Sequence, residues 1–252
     1  MSLRGRHVLV IGASSGIGRA FGLAAAADGA RVALAARRFD RVEEAVTEAG
    51  SGVALTCDVR DEESCRGAVA QATSGSGPLD LLFYAAGSAP LQRLQHTDPD
   101  VWREAFETNV LGLQRIVQAA IPHLVDNGIV AVLSSETVGK PRPGLGAYGA
   151  SKAALDESLH VWQLEHPELR FSCLTVGATQ PTEFGAAFDR DQLGPALGSW
   201  FRHGLMQEQY MDTDEVAGFL VTMLGAALTN PTVNVERLTL RSPSPVAGPP
   251  GA

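Results

Sequence analysis

The fold class this sequence predicts is α/β: a doubly wound, mainly parallel seven-stranded sheet with helices on both faces, in a single domain. Three observations carry the prediction. Short apolar runs rich in Val, Leu and Ala alternate with longer stretches of helical period, the pattern of buried parallel strands covered by helices. A glycine-rich turn, Gly12-Ala13-Ser14-Ser15-Gly16-Ile17-Gly18, follows the first apolar run directly. With 252 residues, 45% apolar and 19% charged, the chain can bury about 70–75% of its unfolded surface and lacks the polar composition of disordered proteins.

Each element follows from local pattern. A strand over 7–11 leads through the glycine turn into a helix over 16–28, and a strand over 31–35 follows Gly29 and Ala30. A helix over 41–49, a strand over 52–57, a helix over 62–74 and a strand over 79–85 continue the alternation, the strands bounded by Gly, Pro, Asp or Asn. Asp98 before Pro99 is a good N-cap with proline at the first helical position, so a long helix is expected over 99–126. Asn127-Gly128, which tolerate a left-handed backbone, end it. A strand over 129–134, a helix over 147–166, a strand over 170–176, a helix over 214–225 and a strand over 233–240 complete the sheet, with right-handed crossovers.

Two segments break the alternation. Residues 179–211 carry Phe184, Phe188, Trp200, Phe201, Leu205, Met206 and Tyr210 among glycines and Pro195 without one clean period, the composition of a loop-and-helix lid over an apolar ligand. Pro243, Pro245, Pro249 and Pro250 make 242–252 a flexible tail, mobile or draped over a neighbouring subunit, and leave 1–241 as the domain.

Composition narrows the function. Lys plus Arg total 20 against 28 Asp plus Glu, a formal charge of −8, the wrong sign for gripping a phosphate backbone, so nucleic acid is not an expected partner. Cys57, Cys65 and Cys173 are odd in number and lack CxxC or Cys/His spacing, and the six histidines show no ligand spacing. Neither a disulfide framework nor a metal is expected. No signal-like or membrane-spanning apolar run is present, which points to a cytoplasmic chain acting on a small molecule.

The glycines of 12–18 let backbone approach a phosphate while the free N–H groups of a helix start point at it. About 20 residues on, an NAD site has an acidic group for the ribose 2′-OH; here the strand end reads Ala35-Ala36-Arg37-Arg38. Two guanidiniums without a carboxylate favour a 2′-phosphate, with the Ser14 and Ser15 hydroxyls nearby. NADP(H) is therefore the preferred cofactor, although the turn itself also admits NAD(H).

A second cluster joins Ser134-Ser135, at a strand end, to Tyr148-Gly149-Ala150-Ser151-Lys152 at a helix start. Four residues apart, Tyr148 and Lys152 share one helix face, close enough for the ammonium to stabilise a phenolate and pull the tyrosine below its free value of ~10.

With both clusters in place, the chain resembles the short-chain dehydrogenase/reductase family over residues 7–176. Gly12, Gly16 and Gly18 match the family's glycine motif, Cys57-Asp58-Val59 its adenine-contacting strand end, and Thr108-Asn109-Val110 its asparagine segment; Ser135, Tyr148 and Lys152 complete the set. Ser135 is preferred to Ser134 because it stands thirteen residues before Tyr148, the family's spacing. The departures are Ile11 for a threonine, Tyr84-Ala85-Ala86-Gly87 for Asn-Asn-Ala-Gly, Val176-Gly177 for Pro-Gly, and a 233–240 strand without Asp-Gly-Gly.

The resemblance implies a Rossmann-type fold and an oxidoreductase interconverting a secondary alcohol and a ketone or aldehyde on a mainly apolar small molecule. Its tetrad would be Asn109, holding a relay water, Ser135, orienting the substrate oxygen, Tyr148, the acid/base, and Lys152, binding the nicotinamide ribose and stabilising the phenolate. Cofactor contacts would come from Gly12, Ser14, Ser15, Gly16, Ile17, Gly18, Arg37, Arg38, Asp58, Val59, Ala86, Gly87, Tyr148, Lys152, Gly177 and Thr179, with Thr182 the alternative to Thr179. The helices over 98–126 and 147–166 would form the contacts of a homodimer or homotetramer. A second reading stays open, a non-catalytic NADP(H)-binding sensor on the same fold.

Overall fold

The computed structural model describes residues 2–186 and 188–246. Its sheet contains β1 (His7–Ile11), β2 (Arg31–Ala36), β3 (Val53–Thr56), β4 (Leu79–Tyr84), β5 (Leu124–Ser135), β6 (Arg170–Val176) and, after a lid, β9 (Arg237–Leu240). All pair in parallel in the order β3-β2-β1-β4-β5-β6-β9. The order reverses between β1 and β4, and such a switch point opens a ligand crevice at the carboxyl ends of the strands.

Alternation along β1 and β4 divides two cores. Val8, Val10, Leu81 and Phe83 face one side, where Phe21 of α1 (Gly16–Ala27) stacks on Phe83 at 3.8 Å, together with Leu220 and Leu224 of α8 (Thr213–Thr229). Leu9, Ile11, Leu82 and Tyr84 face the other, against Cys65 and Val69 of α3 (Glu62–Thr73), Leu113 and Ile116 of α5 (Gly112–Ala120), and Leu155 of α6 (Gly146–Glu165). Each such buried side chain contributes about 1.5–3 kcal/mol, so both faces hold the strand ends in place. Between β2 and β3, α2 (Phe39–Ala49) stops at Gly50, whose φ of 69° suits a residue without Cβ.

The helix expected over 99–126 is broken. Asp98 caps α4 (Pro99–Phe106) by accepting from the Asp100 N–H at 2.8 Å, as its sequence implies. A single π turn, Glu107–Leu111, then separates α4 from α5, and a 3₁₀ turn at Ile121–His123 precedes β5. Pro122 explains the early stop, because its missing N–H and its ring block further α-helix. Residues 124–126 therefore open a strand. Asn127, at φ 61°, sits in the irregular stretch where the β4–β5 register shifts, and donates to the Glu168 carbonyl at 2.8 Å. The strand expected from 233 begins only at Arg237.

Between β6 and α8 the chain makes an excursion whose ends pair in parallel, β7 (Thr179–Gln180) with β8 (Met211–Asp212). Within it lies α7 (Arg190–Arg202), capped by Asp189 and containing Pro195. The tail expected to run free from 242 is held over its first residues. Glu208 N–H donates to the Pro245 carbonyl at 3.0 Å, Gln209 N–H donates to Ser244 Oγ at 3.1 Å, and Ser242 is buried. Backbone groups of 207–209 that need partners find them there. The rest of that expected tail, 247–252, lies outside the described residues.

Candidate active site

The nucleotide end is shaped by backbone. Gly12 has φ 90°, and a Cβ on it would stand 2.5 Å from the Ala86 nitrogen; a Cβ on Gly18 would stand 2.4 Å from the Gly12 carbonyl oxygen. Only hydrogen fits at either place, so the turn packs directly on the end of β4 and on its own helix. Ser15 is the N-cap of α1 but makes no side-chain capping bond, which leaves first-turn N–H groups free for an anion. Ile17 packs partly buried against the first core. A groove of about 290 Å³ opens here, lined by Ser14, Ser15, Gly16, Arg19, Thr182 and Glu183 among others. These features fit a dinucleotide phosphate.

Arg38 reaches into that turn. Its Nη2 donates to Ser14 Oγ at 2.9 Å and to Ser15 Oγ at 3.1 Å, and it also meets the Glu183 carboxylate at 2.7 Å. Asp58 lies at the end of β3 with its carboxylate against Arg60 at 2.7 Å, and that contact holds its pKa below the usual carboxylate range. Arg37 adds a weaker pull on the same group. Val59 is buried and lies so close to Gly112 that a Cβ there would meet it at 2.8 Å. Gly87 lies between the two ends, 3.3 Å and 3.8 Å from Asn109 Oδ1 and Lys152 Nζ as measured from a Cβ built on it.

At the reacting end, β5 delivers Ser135 while its neighbour Ser134 turns to the other side and donates to Asp156 at 2.5 Å. Alternation along the strand thus separates the two serines. Ser135 accepts from the Thr137 N–H and hydroxyl at 3.2 and 3.0 Å. Tyr148 and Lys152, one turn apart on α6, are both buried. Asn109 occupies the π turn, fully buried; its amide donates to the Ser88 carbonyl at 2.9 Å and to Ser151 Oγ at 2.8 Å, while Oδ1 accepts from the Ser88 N–H at 2.7 Å. Ser151 donates on to the Tyr148 carbonyl at 2.8 Å. This side chain is a tether between the end of β4, the π turn and the start of α6.

The electrostatics of the pair differ from what its spacing implies. Tyr148 is pushed up to about 12 by burial; the adjacent Ser135 hydroxyl and the Arg142 guanidinium pull it down less strongly, and Asp156 adds to the rise. Arg142 is the cation that pulls on the phenol, while the Lys152 ammonium donates to the Leu133 carbonyl at 2.7 Å. Burial lowers Lys152 to about 8, with the Asp156 carboxylate opposing the shift. Low dielectric disfavours both charged forms, an effect that residue spacing alone does not reveal.

The lid supplies the roof. Phe184 meets the Tyr148 ring edge-on at 5.3 Å and Phe188 at 5.4 Å. Leu91, Leu145, Trp200 and Met206 form a small third core with Tyr148. Beside it lies a network absent from the sequence reading: Glu136 is buried between Arg142 and Arg241, its carboxylate 2.8 Å from Arg241. Arg142 also donates to the Leu205 carbonyl at 2.9 Å and lies 6.0 Å from the Trp200 ring. The two guanidiniums lower the Glu136 carboxyl although burial raises it. The one available signal was Glu136 following Ser135; its partner Arg241 is too distant in sequence to pair by inspection. Thr179 donates to the Gly177 carbonyl at 2.9 Å, and Thr182 lies against Gly16.

A glycine turn at the switch point thus stands beside a serine, tyrosine and lysine at the adjoining strand and helix ends, where open α/β sheets bind ligands. Residues 6–193 match the family described as short chain dehydrogenase. Glycine betaine reductase ATRR of Emericella nidulans is 33% identical over 233 residues, which cover 88% of this chain; the match spans only 18% of that protein's length. An uncharacterized oxidoreductase of Mycobacterium tuberculosis is 35% identical over 94% of this chain and 91% of its own. The structure of an alcohol dehydrogenase from Thermococcus sibiricus, complexed with 5-hydroxy-NADP, superposes with TM-score 0.80 at 28% identity, covering 95% of this chain and 97% of that one. The chain belongs to the short-chain dehydrogenase family. Among the described residues no helix is long and apolar enough to cross a membrane, and no group of three or more His, Cys, Asp or Glu could hold a metal.

Proposed function

We propose that the chain is an NADP(H)-dependent oxidoreductase interconverting a secondary alcohol and a ketone or aldehyde on a mainly apolar small molecule, with Tyr148 as the acid/base. The observation that carries this reading is the placement of the Tyr148 ring beside Ser135 and beneath Phe184, in an apolar cluster at the end of β5. A bound nicotinamide exchanges the hydride. Gly12 to Gly18, Ala86 and Gly87 hold the dinucleotide, with Asp58 and Val59 at the adenine and Gly177 with Thr179 or Thr182 near the nicotinamide. Lys152 takes the ribose. Ser14, Ser15 and Arg38 receive the 2′-phosphate, supported by the contacts the three already share; Arg37 adds charge beside them.

A phenol held near 12 keeps its proton at neutral pH, so Tyr148 is set as an acid that donates from Oη to a developing alkoxide. Ser135 orients the substrate oxygen, and Leu91, Leu145, Trp200 and Met206 packed with the ring exclude water. Asn109 is a positioning residue that acts through Ser151 on the first turn of α6. Exposed Val161 and Leu164 on α6 suit the surface of a homodimer or homotetramer, and three free, buried cysteines suit a reducing cytoplasm. The test is NADPH absorbance with a panel of apolar ketones and aldehydes. Oxidation of NADPH that Tyr148→Phe abolishes supports the reading, whereas NADPH binding without turnover on the whole panel favours the sensor.

A further inference from the structure

Resting on the reading of Arg38 as the 2′-phosphate ligand, we propose that Glu183 is a selectivity latch: its carboxylate holds the guanidinium a 2′-phosphate would take, so that only a nucleotide bearing that phosphate releases the lid from Tyr148. One nitrogen of Arg38 serves Ser14, Ser15 and Glu183, at 2.9, 3.1 and 2.7 Å. A carboxylate and a phosphate are both acceptor-only anions that compete for the same donors, and side by side they repel. The pair is about half exposed, with side-chain accessibilities of 48% and 42%, so it is weak enough to exchange.

The neighbours of Glu183 connect the two ends of the site. Thr182 lies over Gly16, 3.6 Å from where a Cβ would stand, and Phe184 lies edge-on to Tyr148. Three consecutive lid residues therefore touch the phosphate turn, the arginine and the acid/base ring. Displacing the middle one moves the chain on which Phe184 sits. Because β7 and β8 tie the lid's ends together, that movement stays within the lid. A nucleotide without a 2′-phosphate makes no demand on Arg38 and leaves the latch closed.

The test compares binding of adenosine 2′,5′-bisphosphate and 5′-AMP to the wild-type chain and to Glu183→Gln, a change at an exposed position. Wild type should prefer the bisphosphate. Glu183→Gln should bind it roughly fivefold tighter, the upper end for an exposed ion pair, with 5′-AMP affinity unchanged. In a Phe184→Trp reporter, the bisphosphate but not 5′-AMP should shift the indole emission, and adding Glu183→Gln should produce that shift without ligand. Equal bisphosphate affinity in wild type and Glu183→Gln, an equal gain for 5′-AMP, or a reporter shift with both nucleotides would overturn the latch while leaving the Arg38 reading intact. A wild type that does not distinguish the two nucleotides would overturn both.

Discussion

The nucleotide end and the reacting end of this site are built by different means. The first is a run of seven residues whose glycines let three backbone segments touch; its chemistry lies in main-chain N–H groups and two serine hydroxyls, and Arg38 brings a cation to it. The second gathers side chains from a π turn, β5, α6 and the lid, and burial sets the proton affinities. Shape governs one end and desolvation the other. A substitution should accordingly fail for different reasons at each.

The sharpest contrast comes from Gly12→Ala. A methyl there meets the Ala86 nitrogen at 2.5 Å in a φ 90° backbone, and strain plus overlap together amount to about 3 kcal/mol or more. We expect a large drop in the urea midpoint together with lost nucleotide binding. A stable variant with wild-type affinity would break the claim that shape governs this end.

Tyr148→Phe should keep fold and nucleotide affinity while turnover falls at least ~100-fold, about 2.7 kcal/mol. Desolvation also sets the pH response. Between about 8 and its ordinary 10.5, Lys152 has lost in the folded chain a proton the unfolded chain retains, so its contribution makes stability rise with pH there. Tyr148, pushed up to about 12, retains a proton the unfolded chain loses above 10, and works in the opposite direction. Through the ribose it would hold, Lys152 also reaches turnover: carbonyl reduction should decline as pH passes about 8, where that ammonium discharges, before the tyrosine loses its proton. A pH–rate profile flat to pH 10 would remove Lys152 from that role.

Glu136→Gln leaves Arg142, 10% exposed, and Arg241 without their shared anion. Breaking a fully buried pair costs 3–5 kcal/mol; with Arg241 one-third exposed, about 2 kcal/mol is expected in thermal or urea unfolding. An unchanged midpoint would show that the network does not hold the lid side together. A smaller effect belongs to Arg38→Ala, which should narrow the NADPH-over-NADH affinity ratio roughly tenfold, as loss of a charged but exposed hydrogen-bonding group does. Arg37→Ala should do less, since Arg38 is the guanidinium that reaches the turn. Equal effects would blur the contrast.

The two ends also differ in how much of them could be read in advance. Gly12, Gly16 and Gly18 sit within one turn, and a backbone requirement of that kind is written in contiguous residues. Spacing on α6 likewise places Tyr148 and Lys152 on one face. Spacing does not give the state of that pair, because the Leu133 carbonyl that meets the ammonium and the apolar roof that raises the phenol come from elsewhere in the chain. Asn109 was placed in the site, but its tether to Ser88 and Ser151 depends on a π turn that a plain helical period conceals. The overlong helix failed at Pro122 because Leu124 and Val125 continue an apolar period that a strand uses equally well.

By itself the sequence determined the alternating strands and helices, the parallel sheet, the glycine turn and the shared helix face of Tyr148 and Lys152. Those depend on periodicity and local backbone freedom, which act over a few residues. Only the tertiary structure decided which cation Tyr148 feels, where Glu136 finds its arginines, and that Glu183 lies on Arg38. These are contacts between distant segments, and their strength comes from the exclusion of water, a property of the assembled core.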